Sequence, residues 1–254
     1  MTHVEGHVGV ITFNRPARHN ALSDELTKRY AEALREFIAR DEIRCILLRG
    51  EGRSFCSGRD VAELGQRAAG ESDFLFVRRH QRQLLELIDS HKPIVAALKG
   101  AVLGGGCEIA LAADIRIASS DLKLGLPEIN YGLLPDTGGT QLLAALIGAS
   151  RTKYMVLSGE PVDADTALAW GAVDFVVGAD LLDQRALDIA QMIAAKPPLA
   201  LAMGKQMIDQ IHGPQLRSGM GQELLAQTAL FLTEDYKEAR AALREKRKPL
   251  YRGR

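Results

Sequence analysis

One plan occurs twice in this chain and restricts its fold more than any other feature. Residues 43–49 (IRCILLR) form an apolar run that stops at Gly50, and a polar, glycine-containing loop, EGRSFCSGRD, follows. Residues 94–99 (IVAALK) stop at Gly100 and lead through AVLGGG into a second apolar segment, CEIALAADI. A short apolar run closed by glycine reads as a buried strand, and helical patterns at 73–90 and from near Cys107 supply the element after each loop.

The same reading extends in both directions. Residues 8–13 (VGVITF) are β-branched and aromatic and end at the turn signal Asn14-Arg15-Pro16. Ser23 caps a predicted helix with Asp24 and Glu25 in its first turn, where the helix dipole favours acids. Leu22, Leu26, Ala33, Leu34, Phe37 and Ile38 give that helix its apolar face. Strand-like stretches at 115–119 and 173–177 flank a predicted helix around Tyr154–Trp170, and the pattern from Gly178 onward is helical. Strands alternating with helices imply an α/β fold with parallel strands. No low-complexity linker interrupts it, so we expect a core over residues 1–195 and a packed helical region over 196–254.

Composition excludes several classes. Lys plus Arg and Asp plus Glu are equal at 32 each, which argues against a dedicated nucleic-acid binder. Cys45, Cys56 and Cys107 are too few, and odd in number, for a disulfide framework, and buried free thiols in a reducing compartment are expected. The first residues, MTHVEGHVGVITFN, lack signal-peptide character, and no run reaches the ~18 apolar residues that would span a bilayer. A cytoplasmic location is expected. The six histidines have no H-E-x-x-H spacing, so no metal site is expected, and Ser54 and Ser57 lack a G-x-S-x-G frame.

The chemistry concentrates at Gly104-Gly105-Gly106. Glycine between a strand and a helix lets backbone approach a ligand, and the helix N-terminus offers unpaired N–H groups. Taken alone the segment also suits a tight turn. No Lys-Ser/Thr follows, and Glu108 and Ile109 stand where a dinucleotide fingerprint needs glycine, so an oxyanion site is the better functional reading. Glu108 falls in the first helical turn, and Glu128 lies in a loop marked by Pro127 and Gly132. Each could be a solvated acid. Together, near one electrophile, two carboxyls can activate water and shuttle its proton.

The segments NRPARHNAL, FCSGRDV, LKGAVLGGGCEIALAADIRIA, LGLPEINYGLLPDTGGTQLL, LSGEPVDADTALAWGAVDFVV and EKRKPLYRG resemble, in order, those of the enoyl-CoA hydratase/isomerase (crotonase) family. The resemblance implies a spiral of repeated β-β-α units with C-terminal helices that form a homotrimer or a dimer of trimers. It implies an acyl-CoA thioester substrate, with coenzyme A as part of that substrate and no other cofactor. The family's two oxyanion-hole amides match Arg59 and Gly105. The small residue expected at the first position is replaced by Arg59, whose side chain would point away, towards a CoA phosphate or the surface. Arg18, Ser57, Gly58, Asp60, Val61, Lys246 and Tyr251 match CoA-contacting regions.

Both hydratase glutamates are matched, by Glu108 and Glu128, so the resemblance implies addition of water across the 2,3 double bond of an enoyl-CoA. Asp136 departs from the glycine common in hydratases and opens alternatives. One is a double-bond isomerase using Asp136 or Glu128, and another is a hydrolase or dehalogenase with Asp136 as nucleophile. A turn aspartate bonded to its own backbone is a plainer reading. From a different class, a catalytically silent oligomer or RNA-binding module would use the seven Lys/Arg of residues 240–254. The 62–80 segment is expected to line the acyl pocket.

Overall fold

The computed structural model describes residues 1–254. β1 (Thr2–Glu5) and β2 (Val8–Phe13) form a hairpin, and α1 (Asp24–Ala39) follows. β3 (Cys45–Gly50) leads to α2 (Asp73–Ile88), and β4 (Ile94–Leu98) and β5 (Ala101–Leu103) lead to α3 (Gly105–Leu111). β6 (Ile115–Ser119) and β7 (Lys123–Gly125) precede α4 (Gly139–Ile147) and α5 (Ala149–Ser158). β8 (Val162–Asp163), α6 (Ala164–Trp170) and β9 (Phe175–Val177) come next. The chain ends in α7 (Leu182–Ala194), α8 (Pro198–Asp209), α9 (Gly213–Leu230) and α10 (Glu234–Glu245).

A six-stranded sheet runs β1-β2-β3-β4-β6-β9, parallel except for β1, and a small sheet runs β5-β7-β8. Consecutive strands β4 and β5 enter different sheets before α3, and β6 and β7 do the same before α4. Single bridges, Leu22 to Arg59 and Cys56 to Val102, extend the small layer towards the first two helices. The result is the β-β-α spiral that the resemblance implied. It sets the loops after the small layer beside the helix N-termini that follow.

The parallel strands alternate between two cores, as a period of two requires. Ile11, Phe13, Ile46, Leu48, Ile94 and Leu98 face the helices of the spiral. Val8, Val10, Cys45, Leu47, Val95 and Ile117 pack against Leu182, Ala186 and Ile189 of α7. Burial on both faces explains why these strands read as unbroken apolar runs. Each fully buried Val or Leu contributes roughly 1.5–3 kcal/mol relative to exposure.

Ser23 caps α1 as its sequence required, accepting from Leu26 N at 3.2 Å. The single helix expected around Tyr154–Trp170 is two. α5 stops at Gly159 (φ +68), and Pro161 and β8 intervene before Asp163 caps α6. The break lets Val162 add to the small sheet beside Leu124. All three cysteines are free and buried, and burial pushes the Cys45 and Cys56 thiols up to about 12. No helix is long and apolar enough to cross a membrane.

Candidate active site

The site forms where the bridge at Arg59, the start of α3 and the loop after β7 meet. Leu22 N donates to Gly58 O at 2.8 Å and Asp60 N donates to Leu22 O at 3.0 Å. These bonds leave the Arg59 N–H directed away from Leu22, and it donates to no backbone carbonyl. Gly105 occupies the first turn of α3, where N–H groups have no acceptor within the helix. Gly104, at φ +52, is required for two reasons: the backbone angle, and a Cβ there that would stand 2.9 Å from Glu128 Oε1. A Cβ on Gly139 would meet Glu108 Oε1 at 2.8 Å. Both glutamates thus reach backbone that only glycine leaves open.

The two carboxyls differ in their hydrogen bonding. Glu108 is buried, and its Oε1 accepts from the amides of Thr137 (2.9 Å) and Gly139 (3.1 Å). Its Oε2 accepts the Thr137 hydroxyl at 2.5 Å. Glu128 Oε2 has no partner in the protein. Burial raises the Glu108 carboxyl, and its three hydrogen bonds oppose the rise. Burial, then the charge of Glu108, pushes Glu128 well above the usual carboxylate range. The carboxyl held by three donors is thus raised less than the one whose oxygen has no partner.

Two more acids join them. Asp136 lines the same cavity instead of closing a turn on its own backbone, and burial followed by Glu108 and Glu223 raises it well above its ordinary value. Glu223 on α9 is buried; its Oε2 accepts the Gly138 amide at 2.7 Å and its Oε1 the Thr140 hydroxyl at 2.6 Å. Burial, then Glu108, raises Glu223 to about 7. Gln81 of α2 donates to both Asp136 O and Met220 O at 2.7 Å, tying α2 and α9 to the turn between them.

The four acids border or support a cavity of about 220 Å³. Ser57, Gly58, Val61, Arg59 and Gly105 line it, and Leu22, Ile109 and Leu133 supply apolar wall. The Arg59 side chain donates to Asp24 Oδ1 at 2.7 Å and lies 5.3 Å from the Phe76 ring centre. Of the expected 62–80 segment, Glu63, Leu64, Gly65, Arg67, Phe76 and His80 reach the cavity. Phe74 and Leu75 are exposed.

The remaining expected contacts lie outside this cavity. Asp60 is engaged by Arg15 Nη1 at 2.5 Å and caps Ala62 N at 3.0 Å. Arg18 is exposed in the short turn Pro16–Arg18. Lys246 ends α10 with φ +55, and the Tyr251 hydroxyl donates to Asn130 O at 2.6 Å. In the basic C-terminus, Arg247 pairs with Glu238 and Glu245, and Arg254 pairs with Glu234. Sequence reasoning missed Thr137 and Glu223. Thr137 adjoins Asp136 in a segment already singled out, whereas an acid inside a helix carries no local sign that it is buried.

The enoyl-CoA hydratase/isomerase family model matches residues 3–254. This chain belongs to that family. It is 37% identical over 246 residues to the short-chain-enoyl-CoA hydratase of Clostridium acetobutylicum, covering 96% of this chain and 94% of that one. It is also 34% identical to the 1,2-epoxyphenylacetyl-CoA isomerase of Escherichia coli, covering 100% and 98%. A solved enoyl-CoA hydratase from Mycobacterium avium subsp. paratuberculosis K-10 superposes with a TM-score of 0.89 at 27% identity, covering 99% of this chain and 98% of that one. The family thus spans hydration and isomerisation, and the assignment within it turns on the acids of the cavity.

Proposed function

We infer that the protein is an enoyl-CoA hydratase, and the observation that carries this reading is the unequal pair Glu108 and Glu128 at one cavity. The thioester oxygen accepts from the Arg59 and Gly105 amides, which withdraw electron density from the β-carbon. A preorganised donor of this kind is typically worth ~10²–10³ in rate. Water between the glutamates is deprotonated by Glu108, whose charge is held by three hydrogen bonds, and attacks the β-carbon. Protonated Glu128 delivers its proton to the α-carbon of the enolate. The proton taken by Glu108 then returns to Glu128 through solvent, which restores the pair.

On this reading coenzyme A belongs to the substrate, and the enzyme works in the cytoplasm. Residues 1–195 form the catalytic spiral, and residues 196–254 serve oligomerisation. Leu199, Met203, Met207 and Ile211, four residues apart along α8 and just beyond it, are each more than 60% exposed. A stripe of that size is suited to burial between subunits of a homotrimer.

A second reading rests on Asp136. A cavity-lining aspartate with a raised pKa suits proton transfer between two carbons, as in a double-bond isomerase. Incubation with crotonyl-CoA and with 3-enoyl-CoA esters, followed by mass spectrometry, separates the two. Gain of one water on crotonyl-CoA, lost in Glu108→Gln and in Glu128→Gln and kept in Asp136→Asn, is the expected result. Conversion of 3-enoyl to 2-enoyl esters without gain of water, lost in Asp136→Asn, would replace hydratase with isomerase.

A further inference from the structure

One face of α9 is fastened to a single loop. Met220, Glu223 and Gln227 recur along the helix at helical spacing, and all three are buried. Gln227 Oε1 accepts the Leu134 amide at 3.2 Å. Glu223 Oε2 accepts the Gly138 amide at 2.7 Å, and its Oε1 accepts the Thr140 hydroxyl at 2.6 Å. Gln81 of α2 closes the same contact, donating at 2.7 Å to Met220 O and to Asp136 O. The hydration chemistry described above uses none of these groups.

The loop that α9 holds is the loop that holds Glu108. The Thr137 and Gly139 amides donate to Glu108 Oε1 at 2.9 and 3.1 Å, and the Gly138 amide between them donates instead to Glu223. Three successive amides thus serve two buried carboxyls. Peptide units are planar, so the direction of the middle amide constrains its neighbours through few dihedrals. Gly138 sits at φ +88, where a glycine backbone is soft, so the hold on these amides comes from outside the turn.

A buried acid carries a desolvation penalty, visible in the rise of Glu223 to about 7. An apolar side chain of the same size would avoid that penalty, but it would leave the Gly138 amide without an acceptor. Glu128 and Asp136, the other acids beside Glu108, accept none of the three amides. The anchor therefore belongs to Glu223 alone.

We propose that Glu223 is a positioning residue for Glu108: by holding the Gly138 amide it keeps the Thr137 and Gly139 amides on the base, which brings the C-terminal helix α9 into the working of the site. The proposal rests on the hydratase reading above for the role of Glu108 as base.

Glu223→Met fills the same space without an acceptor, whereas Glu223→Gln retains one for Gly138. NMR on protein made with isotopically labelled glutamate follows the Glu108 carboxyl in the free enzyme, its signal assigned by its loss in Glu108→Gln. In Glu223→Met this carboxyl should titrate roughly one pH unit higher, because its donors are no longer held in line. The acidic limb of kcat/KM for hydration of crotonyl-CoA should move with it. In Glu223→Gln both should stay at their wild-type positions, because below about pH 7 Glu223 carries its proton and glutamine is its neutral counterpart. Gln81→Met cuts the second tie between α9 and the loop and should shift Glu108 in the same direction, which decides the matter if Glu223→Met does not fold. A Glu108 titration unchanged in whichever of these two variants folds, or shifted as far in Glu223→Gln as in Glu223→Met, would overturn the proposal. A wild type that hydrates no enoyl ester would overturn the hydratase reading, and the titration would still decide whether Glu223 positions Glu108.

Discussion

Glu223 Oε2 accepts the Gly138 amide at 2.7 Å across 85 positions of sequence, fastening α9 to the turn that presents Asp136 and Thr137. Folding raises this carboxyl from 4.5 to about 7, through burial first and Glu108 second. A raised carboxyl binds its proton more tightly in the native state. Its contribution to stability is therefore fully present below about pH 4.5 and is lost as pH rises through about 7. The span amounts to about 3 kcal/mol.

Thermal melts should accordingly show wild-type stability falling between pH 5 and 8. Glu108, Glu128 and Asp136 are raised as well and add to the fall. Glu223→Gln should be less stable at pH 5 by roughly 1 kcal/mol, because one of its two hydrogen bonds is lost. Its decline with pH should be shallower. A decline parallel to wild type would show that Glu223 does not titrate in this window.

Thr137→Val removes the hydroxyl that donates to Glu108 Oε2 while keeping the Thr137 amide bond to Oε1. That hydroxyl holds the Glu108 pKa down, so its loss raises it. The base then ionises later, and the acidic limb of kcat/KM for hydration should move to higher pH. A loss that is largest on this acidic limb and narrows as pH rises is expected from the general-base contribution. A uniform loss at every pH would assign Thr137 a purely structural part.

Gly104→Ala places a methyl 2.9 Å from Glu128 Oε1 at a residue held at φ +52. The backbone strain should cost about 1–3 kcal/mol in denaturant unfolding. Displacement of Glu128 should reduce kcat by about 10² or more. An active Gly104→Ala enzyme with unaltered kcat would show that Glu128 is not held in its working position by this close approach.

Met203→Glu puts a charge in the middle of the exposed α8 stripe. Sedimentation should find wild type as three 27.6 kDa chains and the variant largely as single chains. A wild type that sediments as one chain would remove the trimer.

The sequence alone determined the elements whose signals are local. Ser23, Asp24 and Glu25 start α1, and the apolar runs ending at Gly50 and Gly100 place β3 and β4. The glycines before Glu108 mark a cavity-lining helix start because backbone freedom is encoded in the residue itself. Short pairings without a period were hidden: β5, β7 and β8 hold two or three residues each. The Gly159–Pro161 break is local as well, carried by two residues that interrupt helices.

Tertiary structure decided what depends on distant partners. Glu108 and Glu128 look alike in sequence, and only the turn at Thr137 and Gly139 makes one a well-bonded carboxylate and leaves the other an unbonded oxygen. The Arg59 side chain finds its partner in Asp24 at the start of α1, 35 positions away in sequence. Glu223, an ordinary helical acid in sequence, becomes a buried anchor because packing places its side chain against Gly138 and Thr140. Charge and hydrogen bonding at a site are set by neighbours in space, which a run of residues does not specify.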